Sequence, residues 1–416
     1  MPIADANQLR NTVHKAVADV KLTDVHTHLY PPCFGDLLLW GIDDLITYHY
    51  LIAEIFRWID MPYDDYWKLS TREQADLIWK TLFLENSPVS ESNRGVLTLL
   101  GTLGLDLASR DLAAYRAHFD KLTPEQYVDI VFETANIKDV IMTNDLFDEA
   151  ERAVWLESYR PDPRFRAALR IDAVLNDWHE NWQRLASWGY DVGEEITPQT
   201  VKEVCRFLTE WIDRMQAVYL AVSLPPDFIM PEGSPRGRLI TECVLPVCEE
   251  TNRPFAMMIG VKKLVNPGLR LAGDSVGKGS IHAVEHLCSH YPRNKFLVTM
   301  LSRENQHELC VTARKFRNLL IFGCWWFLNN PSLVEEITRM RLELLGLSVI
   351  PQHSDARVLD QLIYKWDHSR RIIAAALTDK YADLMATGWQ IGEDEISRDV
   401  QKLFGGNLQT FLDRTL

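Results

Sequence analysis

The chain has 416 residues, of which 47% are hydrophobic and 25% charged, and its formal net charge is −14. This composition is typical of a globular protein with a large core, and the acidic balance argues against nucleic-acid binding, which needs clustered lysine and arginine. Charges run through the first 22 residues, and no uncharged apolar stretch reaches about 18 residues, the lower limit for a membrane-spanning helix. We therefore expect a cytoplasmic protein with neither a membrane nor a nucleic-acid partner.

Seven cysteines are spread along the chain, and no two of them form a CxxC pair. An odd number at wide spacing favours neither a disulfide framework nor a cysteine-rich zinc site. Free thiols in a reducing compartment are the simpler interpretation.

Eight short β-rich runs alternate with stretches that carry apolar residues at helical spacing. The runs are Thr23–Leu29, Lys138–Thr143, Phe165–Ile171, Val218–Leu224, Pro254–Gly260, Lys295–Leu301, Leu319–Trp325 and Leu347–His353. Such alternation is typical of parallel strands with crossover helices, and eight units close into a (β/α)8 barrel of the TIM type. The alternative is a doubly wound open sheet, in which the first and eighth strands would not be neighbours.

One connection between these runs is much longer than the others. Residues 30–137 indicate several helices, among them Ile42–Asp60, Thr71–Leu84 and Pro124–Asn136. No linker or change of composition separates this block from the rest of the chain. We therefore predict an α/β protein with a single barrel domain over residues 1–416, in which residues 30–137 form a helical insertion that covers the barrel mouth.

Two histidines and a distant aspartate carry the strongest functional signal. His26 and His28 lie two residues apart in the first run, so a strand would point both imidazoles to one face. Asp355 follows the eighth run, and barrel closure makes the first and eighth strands neighbours. Two imidazoles and a carboxylate with an open coordination position are typical of a catalytic metal site. The sequence therefore predicts a metal-dependent enzyme with one divalent ion bound by His26, His28 and Asp355.

Arginine and aromatic residues accompany these ligands near the predicted strand ends. Arg170 is the second-last residue of the third run, Trp326 follows the seventh, and Arg357 lies two residues after Asp355. A guanidinium binds a carboxylate through two parallel hydrogen bonds, so these arginines together indicate an acidic substrate, although each one alone could close a loop by a salt bridge. Arg303, after the sixth run, is a further anion-binding candidate, for which a solvated loop charge is the simpler interpretation.

His49 and Tyr50 belong to the helical block that we expect over the barrel mouth. Aromatic packing of a helix on the barrel would explain both residues as well as a functional role does. A phenol with an ordinary pKa of about 10 becomes a usable base only beside cations, such as a metal ion and arginines. That condition is expected to hold at this position.

Four segments together make the chain resemble the uronate isomerases of the amidohydrolase superfamily, in their shorter, divergent branch. The segments are Thr23–Leu29, Thr47–Tyr50, Phe322–Trp326 and Gln352–Arg357. The pair of histidines is shared across the superfamily, whereas its combination with the other three segments is more specific. The resemblance extends over nearly the whole chain and implies His26, His28 and Asp355 as metal ligands. It also implies a pocket lined by His49, Tyr50, Arg170, Trp326 and Arg357.

The chain departs from the superfamily pattern at two strand ends. Many members carry further histidines after the fifth and sixth strands, where this chain has Met257-Met258 and Thr299-Met300. A two-metal site is therefore not expected. Zinc, manganese and iron(II) all tolerate the predicted ligand set, and among them we expect zinc.

The resemblance implies an enzyme of carbohydrate metabolism that interconverts an aldohexuronate and its ketose through a cis-enediol. The pairs would be D-glucuronate with D-fructuronate and D-galacturonate with D-tagaturonate. Tyr50, as a phenolate, would move the carbon proton, and Asp355 would move the proton between the two oxygens. The metal and Arg357 would stabilise charge on the C1 oxygen, and Arg170 would hold the distal carboxylate. The remaining candidates for substrate contact are His49, Trp326 and Arg303.

Two other functions would use the same metal ligands. A hydrolase of an amide, lactone or ester would use Asp355 to activate a metal-bound water. A barrel that only binds a sugar acid would have saturated ligands and a closed pocket. The surplus of arginine and aromatic residues, together with Tyr50, favours isomerisation. A homo-oligomer is compatible with the sequence, although no segment indicates an interface.

Overall fold

A computed structural model describes residues 2–416, and its centre is a curled parallel sheet. Seven strands follow one another around this sheet in chain order, and every neighbouring pair is parallel. They are β1 (Leu22–Thr27), β2 (Ile137–Asp145), β3 (Phe165–Arg170), β4 (Leu220–Leu224), β5 (Phe255–Ile259), β6 (Phe296–Met300) and β7 (Leu319–Ile321). The first seven predicted runs are thus confirmed as strands, although β7 is shorter than predicted.

The eighth predicted run, Leu347–His353, is not a regular strand, and this part of the prediction was wrong. Ile350 alone pairs with β7: it bridges to Phe322, and its N–H donates to the carbonyl of Ile321 at 3.1 Å. The next residue is Pro351, which has no N–H to continue a ladder of hydrogen bonds. The strand pattern therefore ends after a single bridge.

The residues that follow this bridge nevertheless close the barrel, because their backbone forms hydrogen bonds with the end of β1. The N–H of Asp355 donates to the carbonyl of His26 at 3.2 Å, and the N–H of His28 donates to the carbonyl of Ala356 at 2.7 Å. Residues 350–356 thus lie between β7 and β1 as an irregular eighth stave. The architecture is the predicted (β/α)8 barrel, and the open-sheet alternative is excluded.

The barrel interior is filled by side chains at alternate strand positions, as the two-residue period of a strand requires. These inward-facing residues belong to one buried apolar cluster, to which successive strands contribute Val25, Ile141, Ala168, Ala221, Ala256, Leu297 and Leu320. The intervening residues, such as Val140 and Leu169, belong to the larger cluster shared with the helices. A packed interior leaves a binding site only at the strand ends.

Helices surround the sheet on its outer side. The α-helices outside the long β1–β2 connection are Ala6–Asp19, Glu149–Ala153, Asp172–Asn176, Trp178–Ser187, Pro198–Met215, Pro235–Leu239, Leu245–Glu250, Ile281–His290, Gln306–Ala313, Pro331–Leu345, Gln361–Ala386, Glu393–Gln401 and Asn407–Asp413. Short 3-10 and π-helical turns are Pro32–Leu37, Trp79–Leu84, Val154–Ser158, Ile240–Val244, Pro267–Gly273, Arg303–Asn305, Trp326–Leu328 and Lys402–Gly406. A small antiparallel ribbon, Val261–Lys262 with Ser275–Val276, follows β5.

The connection between β1 and β2 is helical, as the sequence indicates. Its α-helices are Ile42–Ile46, His49–Ile55, Tyr63–Tyr66, Thr71–Ile78, Glu91–Thr102, Leu112–Phe119 and Pro124–Thr134. The predicted helix Ile42–Asp60 is broken at Tyr48, whose backbone is extended, and the preceding Thr47 hydroxyl donates to the carbonyl of Asp43 at 2.8 Å. This break makes His49 and Tyr50 the first residues of a separate helix.

A buried carboxylate fastens this insertion to the barrel. Asp360, just before the helix Gln361–Ala386, accepts hydrogen bonds from the N–H of Gly41 at 2.8 Å and from the hydroxyl of Tyr127 at 2.6 Å. Burial raises the pKa of Asp360 to about 6. These contacts support our proposal that insertion and barrel form one domain.

Two further sequence expectations concern thiols and membranes. All seven cysteines are free. Within residues 2–416, no helix combines the length and the apolar character that crossing a bilayer requires.

The turn after β7 places unusual demands on Gly323. Its φ is +63°, and a Cβ built there would lie 1.8 Å from Cδ2 of the buried His353. We expect Gly323→Ala to lower the free energy of unfolding by about 3 kcal/mol or more, because backbone strain adds to overpacking. Gly104→Ala is the control, since its φ of +75° meets open space, and it should cost only about 1–2 kcal/mol. Equal losses in urea unfolding would contradict the clash.

Candidate active site

The side chains of His26, His28 and Asp355 meet at the carboxyl end of the barrel. One ligand atom from each lies within 4.8 Å of the other two, and residues 2–416 contain no second group of this kind. Asp355 Oδ1 lies 3.4 Å from Nε2 of His28 and 3.6 Å from Nε2 of His26. The structure therefore brings together the three residues that the sequence predicts as ligands.

These atoms fit a divalent metal ion by their chemistry as well as by their distances. Nε2 of His26 and Oδ1 of Asp355 are buried, and neither has a hydrogen-bond partner. Burying such atoms without a partner is costly, so the fold has to compensate for them by another interaction. Two imidazole nitrogens and a carboxylate oxygen are a common ligand set for a catalytic divalent ion with an open position.

The outer nitrogen of His28 has a defined partner. Its Nδ1 lies 2.9 Å from the hydroxyl of Thr143, and that hydroxyl donates to the carbonyl of Thr27 at 3.0 Å. A hydroxyl has a single proton, so Thr143 accepts the Nδ1–H of His28. The lone pair of His28 is thereby placed on Nε2, the atom that faces Asp355.

His26 is held in the same way by Tyr219, which immediately precedes β4. Its Nδ1 lies 3.3 Å from the hydroxyl of Tyr219, which donates to the carbonyl of Val25 at 2.9 Å. The Tyr219 oxygen therefore accepts from Nδ1–H, and Nε2 of His26 is left as the acceptor. Such outer contacts fix the tautomer and orientation of metal-binding histidines. Sequence reasoning missed Thr143 and Tyr219 as site residues, although both lie within predicted strands, Lys138–Thr143 and Val218–Leu224.

The electrostatics of the three ligands favour the protonation states that metal binding needs. Burial lowers the pKa of His26 well below its ordinary value and also lowers the pKa of His28, so both rings are neutral near pH 7. Burial alone would raise the pKa of Asp355, but its neighbours His28 and His26 hold it below the ordinary value. Asp355 is therefore a carboxylate.

Two residues of the site adopt a backbone conformation that is rare outside glycine. Asp355 has φ +51° and Trp326 has φ +43°. A left-handed conformation costs a bulky residue about 1–3 kcal/mol and persists only where the surrounding structure holds it. For Asp355 part of that support comes from Asp24, which accepts a hydrogen bond from the N–H of Ser354 at 3.1 Å and one from the indole of Trp366 at 2.7 Å.

Arg170 reaches the site at the end of β3, but its charge is already compensated. Its Nε and Nη2 donate to the two carboxylate oxygens of Asp172 at 2.9 and 3.1 Å. The sequence interpretation expected Arg170 to bind a substrate carboxylate through two parallel hydrogen bonds. The Nε and Nη2 atoms that would form them already bond to Asp172. We therefore assign Arg170 a weaker role in anion binding than the sequence suggested.

Arg357 presents the opposite situation. Its Nη1 donates to the carbonyls of His28 and Leu37 at 3.0 and 3.1 Å, and its guanidinium carbon lies 5.2 Å from the ring centre of Tyr30. These contacts fix the side chain, yet they add no negative charge to it. Arg357 is a preorganised cation beside the metal ligands.

Arg303 is not brought to this group. Its side chain is 57% exposed and its guanidinium forms an ion pair with Glu336 at 3.0 Å. Arg303 is therefore a solvated charge on a loop, as the simpler interpretation of the sequence has it. We leave it out of the proposed site.

His49, Tyr50 and Trp326 form an aromatic wall over the barrel mouth. The ring centre of His49 lies 4.5 Å from that of Tyr50 and 5.3 Å from that of Trp326. Nε2 of His49, the hydroxyl of Tyr50 and Nε1 of Trp326 are all buried without a partner. Three such atoms in one wall are available to a polar ligand, as buried polar groups need partners. Trp325 is buried in the core instead.

The phenol of Tyr50 is harder to ionise here than the sequence interpretation requires. Burial raises the pKa of Tyr50 well above its ordinary value. Burial also lowers the pKa of His49 to about 3, so this ring is neutral. A phenolate at position 50 therefore needs positive charge beyond that of the protein alone.

The strand ends that depart from the superfamily pattern contain no imidazole. Met258 of β5 points into the barrel as the strand alternation predicts, and Thr299 of β6 is buried with an unpartnered hydroxyl. His353 lies inside the barrel instead, with its ring centre 5.2 Å from that of His26. Burial lowers the pKa of His353 to about 4. Within residues 2–416, the group that could hold a metal ion consists of His26, His28 and Asp355.

A comparison with solved structures assigns the chain to a family. A uronate isomerase from Bacillus halodurans is 58% identical, with a TM-score of 0.98, and the match covers 99% of this chain and 98% of that one. The chain belongs to the uronate isomerase family. This membership confirms the resemblance carried by the four sequence segments.

Two more distant structures share the fold of the family. A uronate isomerase from Thermotoga maritima is 15% identical with a TM-score of 0.78, and the match covers 97% of each chain. A glucuronate isomerase from Caulobacter crescentus is 16% identical with the same TM-score of 0.78, over 100% of this chain and 98% of that one. No protein-family model and no curated protein matches the chain.

The contact between Thr143 and His28 can be tested through metal binding. We expect Thr143→Val to weaken the affinity for a divalent ion about 10–100-fold, because Nδ1 of His28 loses its acceptor and the ring loses its orientation. Thr338→Val is the control, since Thr338 is also buried but its hydroxyl has no partner. Titration against a competing chelator measures both. Equal affinities in the two variants would rule out this contact as a support of the ligand.

Proposed function

We propose that this protein interconverts an aldohexuronate and its ketose, either D-glucuronate and D-fructuronate or D-galacturonate and D-tagaturonate. Family membership supports this reaction, and we propose a role in carbohydrate metabolism on the same ground. The single observation that carries the proposal is the pairing of the three-ligand group with Arg357, a fixed cation without a carboxylate partner. This combination suits a substrate that is both an anion and a carbonyl compound. The free thiols support a reducing cytoplasm as its location.

We propose zinc as the ion that His26, His28 and Asp355 hold. A bound divalent ion would supply Lewis-acid chemistry, by which a sugar oxygen tolerates more negative charge. The protein's part is to present two neutral imidazoles and an ionised carboxylate, which the hydrogen bonds of Thr143 and Tyr219 and the burial of the site achieve.

The reaction moves one proton between carbons and one between oxygens. C2 loses its proton and its hydroxyl becomes a carbonyl, while C1 gains a proton and its carbonyl becomes a hydroxyl. Negative charge collects on the oxygens in the cis-enediol stage, and a preorganised cation stabilises it without reorganisation. Arg357 meets this description, with Nε and Nη2 available beyond the two carbonyls that hold Nη1.

Asp355 and Tyr50 are the candidates for proton transfer. Asp355 is ionised and lies in the barrel mouth, so it can carry the proton between O1 and O2. The Tyr50 hydroxyl has no protein partner and is free to bond to the sugar. We propose that Tyr50 binds the substrate as a hydrogen-bond donor and becomes the carbon base only when cations in the loaded site oppose the effect of burial.

The remaining polar atoms of the mouth suit a sugar acid. His49 Nε2 and Trp326 Nε1 are buried and unpartnered, and hydroxyl groups of an open-chain hexuronate can bond to both. Arg170 keeps one terminal nitrogen outside its pair with Asp172, and we propose that this nitrogen contacts the distal carboxylate. We propose no nucleic-acid or membrane partner, and a homo-oligomer remains compatible with the fold.

A turnover assay distinguishes an isomerase from a hydrolase that uses the same three metal ligands. We expect the zinc-loaded protein to convert D-glucuronate, D-galacturonate or both to the ketose. In deuterium oxide, NMR should show deuterium at C1 of part of the product, because the carbon proton passes through a group that exchanges with solvent. Hydrolysis of a lactone, ester or amide panel without any ketose would contradict the proposal. Chelation should abolish turnover, and added zinc should restore it.

Arg357 gives a second test of the proposed chemistry. We expect Arg357→Lys to lower kcat/KM about 10²–10³-fold, because an ammonium cannot keep both carbonyl contacts and still reach the substrate oxygens. Arg303→Lys is the matched control, since Arg303 forms an exposed ion pair with Glu336, and it should change kcat/KM less than about twofold. Steady-state assays with the preferred uronate measure both. Similar losses in the two variants would remove Arg357 from the scheme.

A further inference from the structure

A buried lysine that the sequence motifs do not include lies directly behind the site. Lys365, on the helix Gln361–Ala386, is only 5% exposed. Its Nζ donates to the carbonyl of Ser354 at 2.7 Å, and it forms no ion pair with any other residue of the described range 2–416. Burial lowers the pKa of Lys365 to about 8. A buried ammonium without a carboxylate partner is rare, because desolvation opposes it.

The position of this hydrogen bond explains what the lysine holds. The Ser354 carbonyl belongs to the peptide unit that immediately precedes Asp355, and the amide of Asn329 donates to the same oxygen at 3.2 Å. The orientation of that peptide unit sets φ of Asp355, which has the left-handed value of +51°. Two donors on one carbonyl thus hold the conformation that directs the Asp355 carboxylate at His26 and His28.

The other side of the ammonium faces the aromatic wall. Nζ of Lys365 lies 5.4 Å from the ring centre of Tyr50, within the range of a cation–π contact. A cavity of about 160 Å³ adjoins both side chains and is also lined by Trp326, His368 and Ser369. This volume has room for water that can solvate the remaining N–H groups of the ammonium. Lys365 therefore links the metal ligand to the helix that carries Tyr50.

We infer that Lys365 is a positioning residue of the active site, which holds Asp355 in its ligating conformation through the Ser354 carbonyl and orients Tyr50 through its ring. Only the expected change in kcat rests on the proposed function. The effect on metal binding follows from the geometry of Asp355 alone.

A second buried lysine offers a matched control. Lys295 is 2% exposed, and its Nζ donates to the carbonyls of Leu412 and Arg414 at 2.7 and 3.0 Å. Burial lowers the pKa of Lys295 to about 8 as well. Lys295 precedes β6, so it lies at the amino end of the barrel, opposite the site. Its loss should cost stability without touching Asp355.

The test compares Lys365→Met with Lys295→Met. We expect Lys365→Met to weaken zinc affinity about 10–100-fold, measured on chelator-stripped protein against a competing dye. With saturating zinc, kcat for the preferred uronate should fall about 10–100-fold, while KM changes less than about threefold. Lys295→Met should lower the Tm and leave zinc affinity and kcat unchanged. Lys365→Arg, whose longer side chain can enter the adjoining cavity, should recover most of the zinc affinity.

Two outcomes would overturn the inference. One is a folded Lys365→Met variant that binds zinc as tightly as the wild type. The other is an equal loss of zinc affinity in Lys295→Met, which would show that the effect comes from reduced overall stability. Where Lys365→Met does not fold, Lys365→Gln replaces it, since a polar amide suits the cavity yet is too short to reach Ser354, and the same loss is expected. If the wild-type protein isomerises no uronate, the proposed function fails, while the zinc measurements still decide the role of Lys365.

Discussion

The closure of the barrel between β1 and residues 350–356 is the contact on which the site depends. Two backbone hydrogen bonds, from Asp355 to the His26 carbonyl and from His28 to the Ala356 carbonyl, place the two ends of the chain side by side. His26, His28 and Asp355 from these segments are also the candidate metal ligands, so the closure of the barrel and the candidate site depend on the same contacts. Without it, the carboxylate would lie too far from the imidazoles for all three to bind a single ion.

The irregularity of the eighth stave serves this arrangement. A regular strand would continue to hydrogen-bond with β7 and would direct its side chains alternately in and out. Pro351 ends that pairing, and the left-handed backbone at Asp355 turns the carboxylate toward Nε2 of both histidines. The strain is tolerated because Asp24, Asn329 and Lys365 bond to the polar atoms of Ser354.

Arg170 and Arg357, which the sequence interpretation took as equivalent anion-binding candidates, differ in whether a carboxylate compensates their charge. Arg170 is paired with Asp172, two residues away along the chain, whereas Arg357 is held by carbonyl oxygens that do not neutralise it. An arginine held by neutral acceptors keeps its full charge for an anion, while a paired one contributes mainly shape. The phenol of Tyr50 depends on the same balance, since burial opposes its ionisation unless cations offset that effect.

The sequence alone determined the first seven strands and their alternation with helices, the helical nature of the long connection and the residue types of the site, whereas the irregular eighth segment and the break at Tyr48 came from tertiary structure. The two-residue spacing of His26 and His28 and the alternation of strands with helices are local features, and local periodicity is visible in a sequence. The pairing of Arg170, the protonation of Tyr50 and the position of Lys365 were decided only by tertiary structure. Each depends on burial and on which groups from other parts of the chain lie within a few ångströms. Neither can be read from the order of residues alone.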